Sequence, residues 1–130
     1  MDRFNKILLN VVVLTWVLFC SVIFAQEKTT NDGVFTEAQV VAGEPVYTSS
    51  CGTCHDLKFY DFTFRSWMGK PLLDFWYHIL AEMPSDNPGS FYDDEYTTVI
   101  AYILSELGYP SGDVALDPEN GMDLIKFAPL

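Results

Sequence analysis

Five consecutive residues, Cys51-Gly52-Thr53-Cys54-His55, bring together two thiols and an imidazole. Two cysteines three positions apart fall on one side of a single turn, where each thiol can add to one of the two vinyl groups on a porphyrin edge. The histidine directly after them then lies under the ring centre, with a nitrogen free to bind iron. Cys-x-x-Cys-His is the pattern of covalent haem attachment, and Gly52 and Thr53 are small enough for the chain to lie against the macrocycle. Two other uses of paired cysteines fit less well. A thioredoxin-like dithiol opens a helix after a strand in a βαβ setting, and no strand pattern precedes Cys51. A structural zinc site takes about four ligands, and the chain offers only Cys51, Cys54, His55 and the distant His78.

An iron held by His55 needs a second axial partner or an open face. The candidates are Met68, Met83, Met122 and His78. Met83 ends an apolar segment, and Pro84 behind it restricts it to an extended conformation. A thioether favours reduced iron and raises the potential; the competing role for such a residue is a flexible core filler. With both axial positions filled, electron carriage is expected and the chain is no enzyme. With the distal position open, a haem enzyme or gas sensor is the alternative. Trp67 is a candidate donor of its indole N–H to a haem propionate, with Arg65, Tyr60 or Lys58 helping to neutralise it. Packing against the haem is the other role for Trp67, and the expected one for Trp76.

The elements that must position these groups are helical. Thr36 and Gln39 have the spacing of a capping box that opens a helix through Ala38, Val41 and Ala42. Pro45 then kinks that helix or starts another. The stretch from Asp56 to Met68 is rich in aromatics and lacks a clean period. From Pro71 to Glu82 apolar residues recur at helical spacing. After a turn-rich loop, Ser90 is the expected cap of a last helix with Tyr96, Val99, Ile100, Ile103, Leu104 and Leu107 on its buried face, stopped by Gly108 and Pro110. The spacing predicts an all-α domain.

Ahead of the domain, Arg3 and Lys6 precede an apolar run from Ile7 to Phe24, and Ala25 stands before a polar stretch. This order reads as a signal peptide over residues 1–25. The run of 18 residues falls just short of the roughly 20 that span a bilayer, so membrane association follows only if the segment is retained. The expected organisation is then a flexible arm over 26–34, the haem domain over 35–116 and an irregular tail over 117–130. Removing the first 25 residues leaves five basic and seventeen acidic side chains, a formal charge of −12. Such a field repels phosphate backbones, which excludes nucleic-acid binding, and favours a partner with a basic face.

The chain resembles the small monohaem cytochromes c of class I over about Phe35 to Leu116. The resemblance rests on Gly43 and Tyr47 ahead of the haem motif, on Cys51-Gly52-Thr53-Cys54-His55, on Met83-Pro84 and on Ala101-Tyr102-Ile103-Leu104. It implies three to four helices wrapped around one covalent haem, with His55 and Met83 as axial ligands. It also implies a crossing of first and last helices in which Gly43 meets Tyr102. The implied activity is periplasmic electron transfer, as a soluble carrier or small subunit, with a dehydrogenase or terminal oxidase as partner. Relatives carry a Gly-Pro-containing loop soon after the haem histidine; here Asp56 to Phe62 replaces it, leaving the acceptor for the other ring nitrogen of His55 unassigned.

Overall fold

A computed structural model describes residues 27–130; the apolar segment and the signal peptide read over residues 1–25 lie outside them. Among the described residues, four α-helices form most of the structure: α1 (Glu37–Val46), α2 (Leu57–Arg65), α3 (Leu72–Glu82) and α4 (Asp93–Glu106). None of these helices is long and apolar enough to cross a membrane.

The start of α1 follows from the capping box. Thr36 Oγ1 accepts from the Gln39 N–H, and Gln39 Oε1 accepts from the Thr36 N–H, so two otherwise orphaned donors are satisfied together. The same Gln39 amide reaches across to the Leu116 backbone, donating to its carbonyl and accepting from its N–H. Pro45 lies inside α1 and does not divide it. The helix passes into a wider π-type turn over Tyr47–Cys51.

The first and last helices cross at Gly43. A Cβ on Gly43 would run into the Thr98 backbone, 2.5 Å from its carbonyl carbon, and would stand 3.0 Å from the Tyr102 Cβ. The close approach of α1 and α4 therefore requires glycine at this point, opposite the residue expected from the sequence.

Three sequence expectations are corrected. The aromatic stretch after the cysteine motif forms helix α2, capped by Asp56, whose carboxylate accepts from the Phe59 N–H at 3.0 Å. Its apolar residues lie on both faces, Tyr60 and Phe64 buried and Phe59 and Phe62 exposed, and this hides the helical period. The last helix begins after Tyr92 rather than Ser90, with Glu95 accepting from the Tyr92 N–H. The segments read as arm and tail pair with each other: β1 (Lys28–Thr29) and β2 (Ile125–Lys126) run parallel, Lys28 opposite Ile125.

That small sheet closes the bottom of the core. Thr30 is fully buried and its hydroxyl exchanges hydrogen bonds with the Ala128 backbone. Phe127 packs against Phe64 and Phe75, and Met122 and Ile125 are buried beside them. The core thus runs well past residue 116 and includes residues before 35.

Candidate functional site

The cysteine motif is laid out by a succession of tight backbone bonds. The Gly52 N–H donates to the Tyr47 carbonyl at 2.7 Å, and the Cys54 and His55 N–H groups both donate to the Cys51 carbonyl, at 3.1 and 2.9 Å. Cys51 is half-buried and Cys54 exposed, and both are free thiols. Burial pushes the Cys51 thiol up from its ordinary value, the opposite of what activates a redox dithiol.

Cys51, Cys54 and His55 lie on the wall of a cavity of about 670 Å3, within the range of roughly 300–1,000 Å3 typical of cofactor and small-molecule sites. Its apolar wall comes from two helices: Phe75 and Ile79 of α3, and Val99 and Ile103 of α4 with Tyr96 one turn earlier. These positions are three or four residues apart, so each helix turns one continuous face to the cavity. The far side is the loop after α3, from Met83 to Phe91. The whole lining includes Ser49, Ser50, Ser85, Asn87 and Ser90, but its one charged side chain is Asp86.

Met83 is the residue on which the two sides meet. It follows the last turn of α3, with φ −127° and ψ 148°, the extended form expected before proline. Of the three methionines among the described residues, Met83 alone lines the cavity: Met122 is fully buried in the core and Met68 is half-buried after α2. His78 is exposed on α3, its ring tilted against Trp67.

Three residues expected at or against the cofactor stand elsewhere. Arg65 ends α2 in solvent and pairs with Asp61 one turn earlier, at 3.7 Å. Trp67 packs edge-on against Phe75 and near Phe127, with the Lys70 ammonium over its ring. Neither lines the cavity: Arg65 points into solvent, and Trp67, beyond the end of α2, packs on the Phe75 and Phe127 side of the core. Tyr60 does line it, buried and edge-on to the His55 ring. Trp76, expected to pack against the haem, is not in the cavity lining either: it is buried in the core and donates to Thr97 Oγ1 at 3.0 Å.

Sequence reasoning missed two tyrosine hydroxyls. Tyr47 donates to the His55 carbonyl at 2.6 Å, and Tyr96 donates to the Met83 carbonyl at 2.7 Å. Burial raises the Tyr47 phenol above its ordinary value, so it remains a protonated donor at neutral pH. Phe59 stacks on the His55 ring with centroids 4.4 Å apart. The helical spacing of Tyr96, Val99 and Ile103 marked them as buried; nothing in the spacing said which cavity they face.

The donor set suits a covalently held haem. Two thiols sit on one turn, an imidazole follows them, a soft thioether shares the same cavity, and the walls between are apolar. By contrast, no three His, Cys, Asp or Glu side chains among the described residues are grouped so as to hold a metal ion on their own. No family model, curated protein or solved structure matches the chain.

Proposed function

We propose that the chain is a single-haem c-type cytochrome that carries one electron at a time, with the cofactor joined through Cys51 and Cys54 and its iron held by His55 and Met83. The observation that carries this reading is the presence of Met83 on the wall of the same cavity as the Cys-x-x-Cys-His turn. When bound, the haem supplies a one-electron Fe(III)/Fe(II) couple, whose potential a thioether ligand raises.

The chain's own residues do the rest. Phe75, Ile79, Val99 and Ile103 keep water from the cavity, which lowers the local dielectric and favours the less charged, reduced state. Cys54 is exposed, so a cofactor joined through it would be open to a partner on that side. With no Lys or Arg in the lining, the polar side chains that would be available to a propionate are those of Ser49, Ser50, Thr53, Tyr60, Ser85, Asn87 and Ser90. The crossing at Gly43 fits a class I cytochrome c fold. Export to the periplasm and a basic-faced redox partner belong to the same proposal, supported by the N-terminal apolar segment and the acidic charge.

The test is direct. Produced in a host competent for cytochrome maturation and then denatured, the protein is expected to keep its pigment. The oxidised form should show a weak near-infrared sulfur-to-iron band that Met83→Ala abolishes. A pigment lost on denaturation refutes the attachment. An unchanged spectrum in Met83→Ala, or rapid carbon monoxide binding by the reduced wild-type protein, points instead to an open distal site and an enzyme or gas sensor.

A further inference from the structure

His55 and Met83 come from different elements, yet their backbones are held in the same way. Each donates its N–H to the carbonyl four residues earlier, His55 to Cys51 and Met83 to Ile79, both at 2.9 Å. Each gives its carbonyl to a tyrosine hydroxyl, from Tyr47 and Tyr96 respectively. The N–H bond belongs to the helical turn that ends there; the carbonyl bond does not, and it ties the residue to another part of the fold. Tyr47 reaches forward from the turn that closes α1, while Tyr96 reaches across from α4.

We infer that Tyr47 and Tyr96 are positioning residues that fix His55 and Met83 by pinning the carbonyl of each, so that only side-chain torsions remain free. The inference rests on the function proposed above and adds what holds its two iron-binding residues in place.

The Tyr96 bond has the greater consequence. Residues after Met83 run through an exposed loop, Ser85 to Ser90, which supplies only a longer bond to the Met83 carbonyl, from the Gly89 N–H at 3.3 Å. Tyr96 is 3% exposed and its ring packs against Phe91 and Trp76. It is therefore a rigid anchor for the one residue at which the loop leaves α3. Removing its hydroxyl leaves a carbonyl with a weaker partner and frees Met83 to follow the loop. His55 differs, because its neighbours Cys51 and Cys54 would themselves be tied to the cofactor. Loss of the Tyr47 bond should therefore matter less for exchange on the Met83 side.

The experiment compares Tyr96→Phe and Tyr47→Phe in the haem-loaded full chain, both of which keep the ring and its packing. Added imidazole should replace the Met83 ligand of the oxidised protein at least tenfold more readily in Tyr96→Phe, and within twofold of wild type in Tyr47→Phe. Amide exchange at Gly89 should quicken at least tenfold in Tyr96→Phe only. Wild-type values in Tyr96→Phe, or equal shifts in both variants, overturn the inference; equal shifts would mark a general loss of stability. Should Tyr96→Phe fail to accumulate, the Tyr96 hydroxyl proton of the wild-type protein decides: slow exchange by NMR is expected, and exchange at solvent rates overturns the inference. A wild-type protein without covalent pigment sinks the functional proposal as well, whereas a pigmented protein indifferent to Tyr96→Phe sinks this inference alone.

Discussion

If the cavity holds the proposed haem, a single charge at its wall should be felt by that couple, and Asp86 is the one charged side chain in the lining. A carboxylate there favours the oxidised, more positive state, so Asp86→Asn is expected to raise the midpoint potential. Exposure screens the effect, which should be on the order of 10 mV, about 0.2 kcal/mol for one electron. Arg65 provides the contrast. Its guanidinium lies in solvent beside Asp61, where an ion pair contributes about 0–1 kcal/mol. Arg65→Gln is expected to leave both potential and visible spectrum unchanged. Equilibrium redox titration of the two variants checks both statements, and a larger shift from Arg65 than from Asp86 would contradict the placement of these residues.

Between elements, the tightest constraint is the crossing of α1 and α4. Gly43→Ala gains helix propensity, about 1 kcal/mol, but its methyl group meets the Thr98 backbone, which cannot swing aside as a side chain could. Overpacking of this kind costs about 1–3 kcal/mol or more. Net destabilisation is expected, read as a lower denaturation midpoint with an unchanged slope. A second junction is sensitive to acid. Asp32 accepts from the Thr29 N–H and hydroxyl at 2.7 and 2.8 Å, and these bonds hold its carboxyl below the usual carboxylate range. Because the folded state favours the charged form, this contribution is present above the unfolded value, near pH 4, and fades as pH falls through the lower folded value. Protection of the Thr30 amide, which bonds to Lys126, measured as its exchange rate relative to the unstructured rate at the same pH, should therefore fall on acidification, and Asp32→Asn should remove that pH dependence.

These same elements mark what a sequence can and cannot carry. The capping box of α1 and the apolar face of α4 were legible because each rests on local spacing, whereas the Gly43–Tyr102 crossing was expected only from the family resemblance. Helix α2 was not, since Phe59 and Phe62 face outward and blur the amphipathic pattern that Tyr60 and Phe64 would otherwise show. The pairing of Lys28 with Ile125 was beyond local reasoning: two-residue strands have no period, and their partners lie at opposite ends of the chain. At the site, the cysteine motif announced itself, while the tyrosine hydroxyls did not, because a hydrogen bond to a distant carbonyl leaves no trace in residue type or spacing.

Over the whole molecule, charge is unevenly spread. Apart from His78, every ionisable charged side chain from Asp74 to Asp123 is a carboxylate, whereas all five Lys and Arg of residues 27–130 lie outside that stretch. The acidic stretch includes α3, α4 and the loop that closes the cavity with Met83 and Asp86. A charged reagent approaching the cavity from that loop therefore meets a negative field, which speeds cations and slows anions. Electron exchange with a cationic cobalt complex is expected to outpace exchange with hexacyanoferrate at low salt, after allowance for driving force. The Debye length falls from about 30 Å at 0.01 M to about 3 Å at 1 M, so the advantage should shrink steadily over that range. A ratio indifferent to salt would mean that electrons enter away from the acidic loop, and the same stopped-flow series repeated on Asp86→Asn separates the two routes: entry by the loop predicts a smaller cation preference in the variant, entry elsewhere predicts no change from wild type.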